Sequence, residues 1–257
     1  MFRTIMFKLV LALHYIVWAP ILFVGLIYKP LNDFLVLTCA RGVLVWARLI
    51  AGIKYEIHCP PTEENGIPFA PDENIRNDGK VIIAAKHMSV LEIAILSTHI
   101  PNSFFIIKHE LMWIPIYGWA FWRMGLQPVN RTRGATNMKK LAHAVAKKIM
   151  DGQTLIIFPE GTRSYDGKVG KGKTGVALVA AKAGVDVIPV GICFEGPKLT
   201  FRKKVTIKFG KPISAEKLHI EGTSSKDLRV IKNTIMDSIR ELVEGPQAQI
   251  EEKTNEN

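Results

Sequence analysis

The sequence contains few cysteines and few charged residues. Three cysteines in 257 residues exclude a disulfide scaffold, and we interpret all three as reduced thiols. Charged residues make up only 22% of the chain and apolar residues 48%, a balance that excludes a disordered protein. Internal repeats are absent too. The length suits one large domain with an appendage.

Acidic residues are fewer than basic ones. The chain has 34 Lys and Arg but only 23 Asp and Glu, which gives a formal net charge of +11. Such an excess concerns partners rather than fold. Nucleic acid, an anionic membrane surface and a small anionic substrate are the three candidates. The histidines outside residues 81–92 show no metal-ligand spacing with cysteines or carboxylates, so we expect neither a metal nor another cofactor.

Two long apolar runs occupy the N-terminal part of the chain. Residues 9–28 contain no charged side chain, and residues 34–53 carry Arg41 and Arg48 on one face of a predicted helix. We favour a membrane-associated helix pair over a buried core hairpin or a cleaved signal peptide. Pro20 interrupts the first run, so it either spans or only embeds in a membrane.

Strand and helix patterns alternate beyond residue 54. Short buried-strand patterns alternate with helical ones, which predicts an α/β fold with a mostly parallel central sheet flanked by helices. We expect three units: a membrane-associated helix pair at 1–54, an α/β domain at 55–245 and a disordered tail at 246–257. The predicted strands are 55–59, 81–86, 103–108, 154–158, 187–191 and 205–209, the predicted helices 89–99, 136–150, 176–183 and 227–242, and the main loop 60–79.

A histidine directly follows one predicted strand, and a glutamate lies five residues after that histidine. His87 emerges at the carboxyl end of the strand, the edge where open α/β sheets bind ligands. Glu92 in the next helix can orient the imidazole and leave its other nitrogen free as a general base. Ser89-x-x-Glu92 is equally a capping box, which explains Glu92 without catalysis.

Two further segments are rich in candidate binding residues. Residues 158–164 read Phe-Pro-Glu-Gly-Thr-Arg-Ser, a strand running into a turn that presents Arg163 either to a phosphate or simply to solvent. Residues 108–131 begin with Lys108, end with Arg131 and contain Trp113, Trp119 and Trp122. For most of these tryptophans we expect a place in the core rather than along a lipid tail.

Two basic segments allow alternatives. Residues 167–174 fit the P-loop pattern, yet no strand leads directly into them, so we favour a basic loop that closes over a substrate phosphate. Residues 198–211 carry six basic side chains and no acidic one. Without a recognisable nucleic-acid motif, we interpret this segment as a solvated or membrane-facing edge, with nucleic acid excluded as partner.

Taken in order, these blocks resemble the glycerolipid acyltransferase family, most closely the bacterial 1-acylglycerol-3-phosphate acyltransferases. The resemblance covers roughly residues 80–212. It rests on His87-x4-Glu92, the 158–164 block and three more blocks in order: Lys108-x-Glu110-Leu111 with Pro115, Gly118 and Arg131; Lys173-x-Gly175; and Val-Ile-Pro-Val at 187–190.

The resemblance implies transfer of a fatty acyl group from acyl-CoA or acyl carrier protein to the free hydroxyl of a lysophosphatidate, giving phosphatidate at the cytoplasmic face of a bacterial inner membrane. His87 would be the base and Glu92 would orient it. The residues implied to bind the substrate are Lys108, Arg131, Glu160, Gly161, Thr162, Arg163 and Lys173.

One position departs from the family pattern. The fifth residue after the histidine is usually Asp, and here it is Glu92, whose extra methylene adds about 1.5 Å of reach. Either the His–carboxylate bond survives or Glu92 only caps the helix. Other functions also stay open: another acceptor such as glycerol-3-phosphate, a lysophospholipid or a lyso-aminolipid; a non-catalytic membrane-binding protein; and a P-loop nucleotide-binding protein.

Overall fold

The structure is a computed structural model. It describes residues 2–59, 80–130, 134–164, 167–195, 202–218 and 224–245, so the predicted loop 60–79 and tail 246–257 lie outside it. The elements in chain order are α1 (Phe2–Gly25), α2 (Lys29–Leu49), β1 (Lys54–His58), β2 (Ile82–Ala85), α3 (Leu91–His99), β3 (Ser103–Lys108), a 3-10 helix (His109–Trp113), α4 (Tyr117–Met124), β4 (Gln127–Val129), α5 (Gly134–Met150), β5 (Thr154–Ile157), α6 (Gly175–Ala183), β6 (Val187–Phe194), β7 (Lys204–Phe209), α7 (Ala215–Leu218) and α8 (Ser225–Glu244).

The strands form one sheet in the order β1-β7-β6-β2-β5-β3-β4. Every neighbouring pair is parallel except β6 with β7. The predicted α/β class with a mostly parallel sheet is therefore confirmed. Strand β2 lies at the centre of the sheet and all four of its residues are buried, as its continuous apolar run predicts.

Each face of the sheet has its own apolar core, because successive side chains of a strand point to opposite faces. Ile82 packs on one face with side chains of α5, α6 and α8. Ile83 packs on the other face with side chains of α3, with Ala47 of α2 and with Ala51 just after α2. Both faces of the sheet are thus covered. Ligands can therefore bind at the carboxyl ends of the strands, and we call this end of the sheet the active-site edge.

Helices α1 and α2 form a hairpin that is joined through one buried histidine. The Nε2–H of His14 donates to the carbonyl oxygen of Cys39 over 3.1 Å, and Trp46 Nε1 donates to His14 Nδ1 over 3.3 Å. Helix α1 continues through Pro20. Arg41 and Arg48 are both exposed on α2.

The hairpin buries little of itself in the protein. Ile5–Gly25 and Lys29–Leu49 are long and apolar enough to cross a membrane, and only 11% and 17% of their most apolar windows are buried. A core hairpin would bury far more of both helices, so the observed exposure favours the membrane-associated interpretation.

The segment from 109 to 129 differs most from the sequence-based expectation. The 3-10 helix, α4 and the short strand β4 were not predicted, because none of them is long enough to show a hydrophobic period. The expected core placement of the tryptophans is wrong: Trp113, Trp119 and Trp122 are 76%, 52% and 67% exposed. The interior side of α4 is made instead by small residues, Gly118 and Ala120.

Candidate active site

The carboxyl ends of three neighbouring strands bring the predicted site residues to one edge of the sheet. Strands β2, β5 and β3 are parallel neighbours, with Ala84 beside Ile157 and Phe105 beside Ile156. His87 therefore emerges next to Phe158, and Lys108 is the last residue of β3 at the same edge.

His87 and Glu92 form a direct hydrogen-bonded pair. The distance from His87 Nδ1 to Glu92 Oε1 is 2.8 Å, with Glu92 fully buried and the His87 side chain 14% exposed. Because an ionised carboxylate only accepts hydrogen bonds, Nδ1 carries the proton and Nε2 keeps its lone pair. The imidazole also stacks on Phe158, with ring centroids 4.2 Å apart, which fixes the plane of the ring.

The structure places Val90, not Ser89, at the N-cap of α3, so the expected capping box does not form. Glu92 nevertheless contacts both the imidazole and the backbone before the helix. Besides His87, its Oε1 accepts from the backbone N–H groups of Met88 and Ser89, each over 2.7 Å. The Ser89 hydroxyl donates to Oε2 and accepts from the N–H of Leu91 over 2.9 Å. The longer side chain of Glu, in place of the usual Asp, thus reaches the imidazole and still satisfies the first backbone donors before α3.

The turn at 159–164 holds the backbone of His87 from both sides. Glu160 Oε1 accepts from the N–H of His87 over 3.1 Å, and the N–H of Ser164 donates to the His87 carbonyl oxygen over 2.9 Å. The other carboxylate oxygen of Glu160 accepts from the N–H of Gly170 over 3.1 Å. Glu160 is 4% exposed, so its carboxylate fixes three segments relative to one another.

The basic residues expected to bind a phosphate border the same edge. Lys108, Arg163 and Lys173 are exposed, as is Thr162, whereas Arg131 lies outside the described residues. Gly161 has a φ of +68°, and a side chain there would meet Lys173 Cδ at 3.2 Å. Glycine at this position thus permits both the left-handed turn and the close approach of Lys173.

Lys86 is a site residue that the sequence analysis missed. It is fully buried, and its Nζ donates to Ser164 Oγ over 3.3 Å and to the carbonyl oxygens of Gly167 and Lys168 over 2.9 and 2.6 Å. This ammonium joins the end of β2 to the loop that carries Arg163. The sequence did carry an indication of this role: Lys86 ends an apolar strand directly before His87. A lysine at such a buried position needs hydrogen-bond partners, because lysine is almost never fully buried without them.

Replacing Lys86 by methionine tests this clamp. The Lys86→Met side chain fills similar space but loses the hydrogen bonds to Ser164 Oγ and to the carbonyl oxygens of Gly167 and Lys168, and a hydrogen bond from a charged donor contributes about 1.5–3 kcal/mol. We expect a lower melting temperature in thermal unfolding of the detergent-solubilised protein, together with a raised KM for the acceptor. Lys80→Met, at an exposed lysine just before β2, serves as the control and leaves both quantities unchanged. A wild-type melting temperature for Lys86→Met contradicts the clamp.

The P-loop-like segment does not have the surroundings of a nucleotide site. Strand β5 ends at Ile157, ten residues before Gly167, and the N–H of Gly170 is already bound to the Glu160 carboxylate. A P-loop leaves its strand directly and directs its N–H groups to phosphates. The segment here is held instead by Glu160, through the N–H of Gly170, and by Lys86, through the carbonyl oxygens of Gly167 and Lys168.

Among the residues that the structure describes, neither a cluster of metal ligands nor a reactive thiol is found at this edge. In the part of the chain that the structure describes, no three His, Cys, Asp or Glu side chains are grouped as metal ligands. Cys39, Cys59 and Cys193 are free thiols. Burial raises the pKa of the Cys59 and Cys193 thiols, which disfavours the nucleophilic thiolate.

Comparisons with known proteins point to one family. The family model described as Acyltransferase matches residues 67–193, a range that contains both His87 and the 158–164 turn. The chain therefore resembles the acyltransferase family over slightly less than half of its length.

Its relatives include two named 1-acyl-sn-glycerol-3-phosphate acyltransferases. The protein of that name from Pseudomonas aeruginosa is 29% identical over 191 residues, covering 73% of this chain and 69% of the relative. The chloroplastic LPAT1 of Arabidopsis thaliana is 37% identical over 122 residues, covering 47% of this chain and a third (33%) of the relative.

A solved structure shares the fold. The 1-acyl-sn-glycerophosphate (LPA) acyltransferase PlsC from Thermotoga maritima superposes with a TM-score of 0.61 at 22% identity, covering 93% of this chain and 97% of that one.

Proposed function

We propose that this protein transfers a fatty acyl group from a thioester donor to the free hydroxyl of 1-acylglycerol-3-phosphate, forming phosphatidate. The single observation that carries the proposal is the His87–Glu92 pair at the sheet edge, bordered by exposed basic side chains. The names of the bacterial and chloroplastic relatives support the acceptor, because both act on 1-acyl-sn-glycerol-3-phosphate by name.

The reaction needs a base and a positioned hydroxyl, since a thioester is already an activated acyl donor. Nε2 of His87 takes the proton of the acceptor hydroxyl as its oxygen attacks the thioester carbonyl carbon. The new C–O bond forms, the C–S bond breaks, and the imidazolium returns the proton to the leaving thiolate. Glu92 stabilises the imidazolium and keeps Nδ1 as the donor nitrogen.

The exposed basic side chains bind the acceptor phosphate in this proposal, whereas some residues of the 159–164 turn have other roles. Arg163 offers a planar fork for two phosphate oxygens, and Lys173 and Lys108 add positive charge at the same edge. Glu160 is buried on backbone donors, so we propose that it supports the turn rather than touching the phosphate. Gly161 permits the turn, Thr162 offers a hydroxyl beside Arg163, and Arg131 remains a proposed phosphate ligand from the sequence.

Donor and location belong to the same proposal. The donor is acyl-CoA or acyl carrier protein, and the acceptor is an anionic amphiphile that resides in a bilayer. An apolar helix hairpin together with a net charge of +11 suits an enzyme at an anionic membrane surface. We propose the cytoplasmic face, where both donors are made and thiols stay reduced.

Arg163→Ala tests the phosphate site. We expect KM for lysophosphatidate to rise about 10- to 100-fold with kcat little changed, the loss expected for a charge-assisted bond of roughly 1.5–3 kcal/mol. Arg163→Lys keeps the positive charge but lacks the planar guanidinium, so we expect its KM for lysophosphatidate to lie between those of the wild type and Arg163→Ala. Arg229→Ala, at an exposed arginine of α8, is the matched control. A wild-type KM in steady-state kinetics of Arg163→Ala removes this residue from the phosphate site.

The acceptor assignment is tested with the purified protein in detergent micelles. Acyl-CoA and acyl carrier protein are each supplied with lysophosphatidate, glycerol-3-phosphate, a lysophosphatidylcholine and a lyso-aminolipid, and products are identified by mass spectrometry. We expect phosphatidate from lysophosphatidate to form fastest. Faster acylation of another acceptor overturns the acceptor, and no acylation of any acceptor with either donor overturns the enzyme assignment.

A further inference from the structure

The glycines of the P-loop-like segment make room for close contacts within the protein. We call residues 167–173 the lysine loop, after its three exposed lysines, Lys168, Lys171 and Lys173. A Cβ added at Gly170 would lie 2.8 Å from Glu160 Oε2. One added at Gly172 would lie 2.5 Å from the Cγ atom of Met236 in α8. These glycines therefore let the loop backbone lie directly against a buried carboxylate and against α8.

Both ends of the lysine loop are fixed at the active-site edge. Lys86 donates to the carbonyl oxygens of its first two residues. At its other end, the N–H of Lys173 donates to the Pro159 carbonyl oxygen over 2.8 Å, which joins the loop to the neighbouring turn. Between these ends, the Glu160 carboxylate accepts from the N–H of Gly170. The backbone of this glycine-rich loop is thus held by specific partners rather than by its own conformational preference.

Helix α8 supplies a further support through its last residue. Glu244 Oε1 accepts from the N–H of Val169 over 3.1 Å, and both residues are partly buried. The Val169 side chain also packs against the apolar core that contains Met236 of α8. The hydrogen bond joins positions 75 residues apart in the chain, so no spacing within a motif indicates it. The C-terminal helix is thereby connected to a loop at the active-site edge.

The position of the lysine loop determines where its ammonium groups lie. The loop contains no acidic residue. A Cβ added at Gly161 would lie 3.3 Å from Lys173 Nζ, so this ammonium lies beside the turn that carries Arg163. A lysine is a point charge on a flexible stem, and it binds a phosphate well only when the backbone that carries it is held in place. The supports of the loop are therefore relevant to binding of an anionic substrate.

We propose that Glu244 is a positioning residue for acceptor binding: through the N–H of Val169 it holds the lysine loop where Lys171 and Lys173 meet the acceptor phosphate. Glu244 acts only through the loop and does not itself contact the substrate. The effect on the acceptor rests on the proposed function, whereas the support of the loop by Glu244 does not.

The sign of the effect separates this positioning role from a simple effect of charge. A carboxylate near a phosphate site repels the phosphate, so removal of the Glu244 charge alone would lower KM for an anionic acceptor. Loss of the support has the opposite effect, because the lysines of the loop are then spread over several positions and KM rises. The direction of the change in KM for Glu244→Ala therefore decides between the two.

Steady-state kinetics of the full chain in detergent micelles test the proposal with two acceptors. For Glu244→Ala we expect KM for lysophosphatidate to rise about three- to tenfold with kcat unchanged, and KM for 1-acylglycerol, which has no phosphate, to stay at the wild-type value. Glu244→Gln keeps an oxygen that accepts from Val169 and restores most of the wild-type KM. Glu241→Ala, at an exposed residue of the same helix, is the matched control and changes nothing. An unchanged or lower KM for Glu244→Ala overturns the proposal.

Hydrogen exchange tests the support of the loop without any substrate. The same four proteins are exchanged in deuterated buffer, and the peptide that covers the lysine loop is followed by mass spectrometry. We expect faster exchange of this peptide in Glu244→Ala, because the N–H of Val169 loses its acceptor and the loop opens more often. Glu244→Gln and Glu241→Ala should exchange like the wild type. Equal exchange of the loop peptide in Glu244→Ala and the wild type shows that Glu244 does not hold the loop.

The two experiments separate failure of this inference from failure of the proposed function. A fall in kcat for both acceptors with an unchanged KM and a lower melting temperature assigns Glu244 to stability of the fold and overturns its positioning role. Acylation of neither acceptor by the wild type overturns the proposed function instead, and hydrogen exchange then decides on its own whether Glu244 holds the loop.

Discussion

His87→Ala is expected to lower kcat for acyl transfer by about 10²- to 10⁴-fold, the usual contribution of a positioned general base. The variant should keep the wild-type melting temperature. The buried Glu92 carboxylate retains the N–H groups of Met88 and Ser89 and the Ser89 hydroxyl as donors after the imidazole is gone. Initial rates of product formation and thermal unfolding measure the two quantities on the same preparation.

His143→Ala provides the matched control for this substitution. His143 is exposed on α5, a helix on the other side of the sheet from α3, and we expect the variant to behave as wild type in both measurements. Full acyl transfer by His87→Ala would show that the base lies elsewhere.

The second large effect is expected at Glu92. Different substitutions there should affect activity and stability to different extents. Glu92→Gln keeps an oxygen for the backbone donors and loses the negative charge that stabilises the imidazolium. We expect kcat to fall by about 10²-fold, within the range of general-base catalysis, with a nearly unchanged melting temperature. Glu92→Ala loses both the acceptor oxygens and the negative charge. The N–H groups of Met88 and Ser89 then lack partners, which lowers the free energy of unfolding by about 1–3 kcal/mol for each group.

Glu92→Asp restores the residue type usual in the family and shortens the reach by about 1.5 Å. The carboxylate of this variant cannot contact the His87 ring and both backbone donors with the present geometry, so we expect partial losses of kcat and of stability together. Kinetics and thermal unfolding of all three variants, measured side by side, check this pattern. Wild-type kcat for Glu92→Gln would leave Glu92 only the structural role of binding the backbone before α3.

The elements that carry a strong hydrophobic period were predictable from the sequence. Strand β2 reads as a continuous apolar run and proved buried throughout, and α8 follows its apolar spacing from Leu228 to Ile239. The strand ends then placed His87 and Lys108 at a common edge, because parallel strands end on the same side of a sheet. In such elements, burial of one face in the core dictates the residue type at each position.

The segment around α4 was unpredictable for a physical reason. Its helix has eight residues, too few for a period to stand out, and its three tryptophans mimic core residues in composition. Gly118 packs closely against the Met112 backbone, where an added Cβ would lie 2.1 Å from the carbonyl oxygen. That tertiary contact leaves no trace in hydrophobicity.

The site also holds contacts that no motif encodes. The sequence offered Glu160 as one residue of a phosphate turn, whereas its carboxylate is bound to the N–H groups of His87 and Gly170. Lys86 looked like the end of a strand and instead holds the loop after Ser164. Both assignments depend on which backbone groups come within reach after folding, which linear spacing does not specify.

One measurement tests the central claim most directly: the ratio of kcat/KM for lysophosphatidate to kcat/KM for 1-acylglycerol, with one thioester donor in the same micelles. The two acceptors share the acyl chain and the hydroxyl at which His87 acts, and differ only in the phosphate that the exposed cations would bind. We predict a preference for lysophosphatidate of about 10- to 100-fold or more, from a charge-assisted contact of roughly 1.5–3 kcal/mol. Equal values for the two acceptors, or transfer to neither, would contradict the account.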